Sequence, residues 1–200
     1  MRAAQVMINV AGATAGVNVE EELSDKWIVK VINGKIKNSQ KKEEVMQFIR
    51  EKAVNDLRIK RFIRQEHLDV PEDSEIKSID THYYILHLAV LYKNNDVLEI
   101  FYEAMKSDKD FCQMALDLRV ETSINQEDVD DSTFFKLRDE VCSLSPLSLG
   151  VKYNYVALQS MVKIADGHGI MDDILKSQTD FRGFNLLHFA TKNAKIKSLE

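Results

Sequence analysis

The chain has 200 residues, 44% hydrophobic and 30% charged, which is enough for one sizeable core in a globular protein. Its 2 prolines and 7 glycines favour helix over a turn-rich β-sandwich. A formal net charge of −5 gives no general attraction for nucleic acid or anionic membrane, and no apolar run is long enough to cross a bilayer.

Residues 1–19 are apolar and small. Arg2, a short apolar run and Ala13-Thr14-Ala15 faintly resemble a secretory signal, but Gln5 and Asn9 interrupt it. The segment reads instead as a terminal stretch, frayed or packed as a helix on the next unit. Residues 20–79 are expected to form a helical cap and linker. Ser24 and Asp25 start a helix carrying Trp27, Ile28, Val29, Val31 and Ile32, stopped by Asn33-Gly34. Ser39 starts another, with Val45, Phe48, Ile49 and Ala53 on one face. Asn55 restarts it, with Leu57, Ile59, Phe62 and Ile63 as its apolar positions. Basic residues outnumber acids between Lys35 and Arg64, which raises a nucleic-acid surface as an alternative function. Interleaved Glu43, Glu44, Glu51 and Asp56, and the lack of interleaved exposed aromatics for base stacking, favour an ordinary solvated face. Asp69–Asp80, with Pro71, reads as a polar linker.

From Thr81 to Lys106 two short amphipathic helices are joined by the turn Lys93-Asn94-Asn95-Asp96, with Asp96 the expected cap of the second helix. Such a pair cannot bury its own apolar faces and needs neighbours of the same kind. Ser145–Ala165 aligns with Tyr84–Ala104 without a gap, and Gly183–Glu200 aligns with His82–Glu99 in the same way. The three copies read Tyr84-Ile85-Leu86-His87-Leu88-Ala89, Ser145-Pro146-Leu147-Ser148-Leu149-Gly150 and Asn185-Leu186-Leu187-His188-Phe189-Ala190.

This pattern resembles the ankyrin repeat, whose signature is Thr-Pro-Leu-His-x-Ala. Ser145 and Pro146 keep the helix cap and first-turn proline, whereas Tyr84 cannot cap, at a cost of about 1 kcal/mol. The resemblance implies an all-α, ankyrin-like solenoid with repeats at 80–107, 145–166 and 180–200. Leu86 and Leu147 are 61 positions apart, so a helical insertion is expected at 108–142. One face there carries Phe111, Met114, Ala115 and Leu118, another Phe134, Phe135, Leu137, Val141 and Cys142. After the second repeat, Ala165–Gly169 reads as a turn and Met171–Lys176 as a short helix. Asp180–Gly183 would rebuild the hairpin finger that Asp80–Tyr83 forms in the first repeat. The chain stops inside the third repeat's second helix, which suggests a fragment of a longer protein.

The residue pattern supplies no chemistry: neither catalytic residues, nor a cofactor, nor a metal site is expected. His87 and His188 share one repeat position, to which the resemblance gives a structural role. His168 lies between two glycines without phosphate-loop context. Glu127, Asp128, Asp130 and Asp131 lack the spacing of a calcium loop. Cys112 and Cys142 fall on apolar faces, make no disulfide framework and point to a reducing, intracellular setting. What remains is a surface. The resemblance implies a concave protein-binding face with His82, Tyr83, Leu91 and Tyr92 from the first repeat, Lys152 and Tyr153 from the second, and Arg182, Phe184, Lys192 and Asn193 from the third. Tyrosines and arginines are the usual interface anchors. The expected function is non-catalytic protein–protein interaction. By analogy with ankyrin-containing chains of intracellular bacteria, the partner would be a host protein met in the host cytoplasm. The other alternative is an accessory region of an enzyme whose active domain lies beyond residue 200.

Overall fold

A computed structural model describes residues 23–36, 38–67, 78–122, 144–177 and 186–192. They are mostly helical, with one small antiparallel sheet. The chain opens on α1 (Asp25–Ile32) and α2 (Ser39–Phe48), the latter running into a π-helical turn, Ile49–Ala53. Strands β1 (Arg61–His67) and β2 (Ser78–Tyr84) follow, and β2 leads directly into α3 (Ile85–Leu91). Next come α4 (Asn95–Ser107), α5 (Lys109–Asp117) and the short β3 (Glu121–Thr122). The second half holds α6 (Pro146–Tyr153), α7 (Tyr155–Gly167), α8 (Met171–Ser177) and α9 (Leu186–Lys192).

The helices pack as consecutive hairpins. The first helices form a row in which α1 touches α3, α3 touches α6 and α6 touches α9. The second helices form a parallel row, in which the π turn after α2 meets α4 and α4 meets α7. Helices α5 and α8 follow α4 and α7, pack on them, and meet each other. The core runs between the rows through Ile28, Ile49, Leu86, Phe101, Leu147 and Met161, all at most 1% exposed. Burying each such side chain is worth roughly 1.5–3 kcal/mol, and no single hairpin could do it alone.

Leu86, Leu147 and Leu187 are each the second residue of their helix, α3, α6 and α9. The first two are buried and the third is 49% exposed, because α3 and α6 are packed between helices on both sides while α9 packs on α6. Small residues set the approach of the paired helices. A Cβ built on Gly150 would lie 3.0 Å from Leu158 Cβ and 3.2 Å from its Cα, and the corresponding Ala89 is fully buried. The helix ends repeat as well. Gly34 N–H donates to Val31 and Lys35 N–H to Lys30; Lys93 N–H donates to Val90 and Asn94 N–H to Ala89. Gly169 and Ile170 repeat the arrangement on Asp166 and Ala165. These are Schellman ends with a left-handed residue, at φ 71° for Gly34, 66° for Gly169 and 56° for Lys93.

Several expectations need correction. Residues 61–67 are a strand, not the continuation of a helix: Phe62 faces in and Ile63 is 64% exposed, an alternation set by pairing with β2. Ser78–Asp80, read as linker, are the start of β2. Asp80–Tyr83 are no projecting finger, since β2 is the central strand between β1 and β3. Asn94, not Asp96, caps α4, accepting from Val97 N–H. The gapless alignment slips at the turn between paired helices. Asn154 alone both ends α6 and starts α7, whereas Tyr92, Lys93 and Asn94 separate α3 from α4. In the insertion, α5 buries Phe111, Cys112, Ala115 and Leu116 and exposes Met114. Phe134, Phe135, Leu137, Val141 and Cys142, and the finger Asp180–Gly183, lie outside the described residues.

Candidate interaction surface

The turns between first and second helices are stacked by one side chain each. Asn94 Nδ2 donates to the Val31 and Ile32 carbonyls at 3.0 Å, tying the α3–α4 turn to the end of α1. Asn154 Nδ2 donates to the Val90 carbonyl at 3.2 Å, tying the α6–α7 turn to the end of α3. Each asparagine also caps its own second helix, Asn94 through Val97 N–H and Asn154 through Ala157 N–H. The result is a continuous edge of the stack.

Tyr92 and Tyr153 stand on that edge at equivalent places, immediately after α3 and as the last residue of α6. Both are open to solvent, at 42% and 41% exposure. Lys152 Nζ lies 5.2 Å from the Tyr153 ring centroid, within cation–π range. Leu91 is half-buried against the core. His82 and Tyr83, expected on the open face, are 7% and 3% exposed: Tyr83 packs into the core, and His82 lies between Ile63 of β1 and Glu121 of β3. Arg182, Phe184 and Asn193 lie outside the described residues, as does the side chain of Lys192, the residue that closes α9. The structure therefore brings together Tyr92, Lys152 and Tyr153 and withdraws the two β2 residues.

No known protein family, curated protein or solved structure matches the chain.

His87, His168 and the described cysteine are engaged in the fold. His87 is fully buried: Nδ1 accepts the Tyr84 N–H at 3.2 Å, which leaves Nε2 to donate to the Leu118 carbonyl at 3.1 Å. Burial pushes its pKa down to about 4, so the ring is neutral. It also supplies, from the third residue of α3, part of the capping that Tyr84 was expected to lack. His168 Nε2 lies 2.7 Å from the Met105 carbonyl and joins the ends of α4 and α7. Burial raises the Cys112 thiol to about 11. Among the described residues, no group of three His, Cys, Asp or Glu side chains is placed to hold a metal ion. No helix there is long and apolar enough to cross a membrane.

Between α4 and α7 an open groove of about 470 Å³ is lined by Tyr102, Lys106, Ser160, Lys163 and His168, with Glu99 at its side. Burial, with Glu99 nearby, raises Tyr102 to about 12. The basic stretch 35–64 is laced with opposite charge. Lys41 pairs with Glu44, Lys42 with Asp96, Arg50 with Glu43 and Lys60 with Asp25. Arg58 and Arg61 converge on Glu121 of β3. Its carboxylate is held below the usual range by the Tyr84 hydroxyl and, next, by the two guanidiniums.

Sequence reasoning missed the two interlocking asparagines. The available signal was an Asn ahead of each second helix, at Asn38, Asn94 and Asn154, each accepting from the N–H three residues on.

Proposed function

We propose that the chain is a non-catalytic protein-recognition module, an ankyrin-like stack of helical hairpins that presents its turn edge to a protein partner. The observation that carries this reading is the pair Tyr92 and Tyr153. Two large aromatics stand more than two-fifths exposed at matching places at the ends of packed neighbouring helices, while Ile85–Val90 and Pro146–Val151 of those helices are buried. An interface anchored on such a row loses little freedom on binding, because tied turns already hold the positions of its side chains. The test is capture of partners from a cell extract with the wild-type chain and with Tyr92→Ala/Tyr153→Ala. The double variant is expected to keep its thermal stability and lose the partner; an unchanged set of captured proteins refutes this face as the binding surface.

A further inference from the structure

The row of capping asparagines has one more member than it has ties. Asn94 and Asn154 each cap a second helix through Oδ1 and reach back with Nδ2 to the end of the preceding layer's first helix. Asn38 caps α2 in the same way, accepting the Lys41 N–H at 3.1 Å. Among the described residues its Nδ2 has no hydrogen-bond partner. Asn38 is also exposed, where Asn94 is half-buried and Asn154 buried.

The helix beside it is covered on one side. Trp27, Val29 and Lys30 of α1 stand as far before the left-handed Gly34 as Leu86, Leu88 and Ala89 of α3 stand before the left-handed Lys93. The three α3 residues are at most 4% exposed, because α3 packs between α1 and α6. The three α1 residues are only half-buried, because among the described residues α1 has a neighbouring first helix on one side alone. Lys30 lies across the Trp27 ring, with Nζ 4.9 Å from its centroid.

We infer that residues 1–22 of this chain cover that face as the first layer of the stack. The apolar run at residues 6–10 packs as a short helix on Trp27 and Val29, and the carbonyls at its end accept from Asn38 Nδ2. Gly12 closes the run as Gly34 closes α1. The length of the segment and the place where it ends both fit. It ends next to Leu23, which packs on the core two residues ahead of α1. A helix that finishes at Asn38 runs beside α1 in the same direction, so the chain must then return along α1. The 8 residues of α1 span about 12 Å, a distance that about four extended residues cover. Residues 13–22 are ample for that return. The short tether also holds the segment at the face at an effective concentration on the order of millimolar, which favours it over a second copy or a free partner.

Trp27 is the single tryptophan of the chain and reports on this face directly. The test is its emission, and its quenching by acrylamide, in the whole chain at several protein concentrations. The wild-type ring is expected to be shielded. Val6→Asp/Ile8→Asp, which places two charges in the apolar run, is expected to red-shift the emission and raise the quenching constant, with a cooperative thermal transition retained. Asn38→Asp keeps an oxygen for the Lys41 N–H but replaces the amide donor with an acceptor. It is expected to shift Trp27 in the same direction, and to add little on top of Val6→Asp/Ile8→Asp, because both changes break one contact. An Asn38 that serves only α2 would leave Trp27 unmoved. Equal quenching of the wild type and Val6→Asp/Ile8→Asp, or unchanged fluorescence in Asn38→Asp, would overturn the inference. Shielding that appears only as the protein concentration rises would give the face to a second copy and overturn it as well.

Discussion

Asn154 donates from its side-chain amide to the carbonyl of Val90, 64 positions earlier, while its Oδ1 receives the Ala157 N–H. One buried side chain thus starts its own helix and holds the preceding layer. Asn154→Ala removes both bonds and is expected to lower the unfolding free energy by about 2 kcal/mol. Asn154→Ser keeps a capping oxygen but cannot reach Val90, and should lose about 1 kcal/mol. Urea unfolding followed by circular dichroism separates the two; equal losses would mean that the tie between layers contributes nothing.

Gly150 sets how closely α6 and α7 approach. A methyl there overlaps the Cα and Cβ of Leu158, which belong to a helix and cannot rotate away. Gly150→Val is expected to cost about 2–3 kcal/mol. Gly150→Ala gains up to about 1 kcal/mol in helix propensity and should therefore lose less, about 1 kcal/mol net. A stabilised alanine variant in thermal melts would show that the helix pair is looser than these distances.

His87 is buried and neutral, with a pKa lowered to about 4 by desolvation. The unfolded chain takes up a proton near the ordinary value of about 6.5 while the folded chain does not. Stability should accordingly fall as pH drops from about 6.5 toward 4, by up to about 1.4 kcal/mol per pH unit from this group, and level off below. Glu121 acts in a lower window: its folded carboxylate is held below its usual range, so its contribution is present above the unfolded pKa and is lost as pH falls through the folded one. Denaturation midpoints of wild type and His87→Gln from pH 7 to 4 isolate the histidine. The variant should be less stable at pH 7 and less sensitive to acid, and parallel curves would remove His87 from the explanation.

Lys93→Gly relaxes a left-handed residue. Freed from Cβ crowding, the variant is expected to gain about 0.5–1 kcal/mol despite the greater freedom of its unfolded chain. Gly34→Ala, the reverse change at the equivalent place, should lose about 1 kcal/mol or more. Thermal melts of the two variants read this symmetry directly.

The helical hairpins were legible in the sequence because their apolar residues recur at helical spacing and because Ser145 and Pro146 mark a helix start. The predicted burial of Leu86 and Leu147 and the short helix at Met171–Lys176 follow from the same signals. The sheet was hidden. Arg61–Arg64 is too short to separate period two from a helix face, and its pairing to Ser78–Tyr84 depends on contacts remote in sequence. That missed pairing is also why His82 and Tyr83 were expected on the surface. Tyr92 and Tyr153 were placed by repeat position alone, and their exposure agrees with that placement. Asn94 and Asn154 escaped notice because capping is a local signal, whereas their second bond reaches a carbonyl over 60 positions away.

The direction of the asparagine ties matters during synthesis. Each reaches backward, from a later layer to the end of an earlier helix. As the chain leaves the ribosome, the tail of α1 stays open until residue 94 has emerged, and that of α3 until residue 154. The α1 tail is thus tied before that of α3. A chain truncated between those two positions would keep the tie on α1 and lack the one on α3.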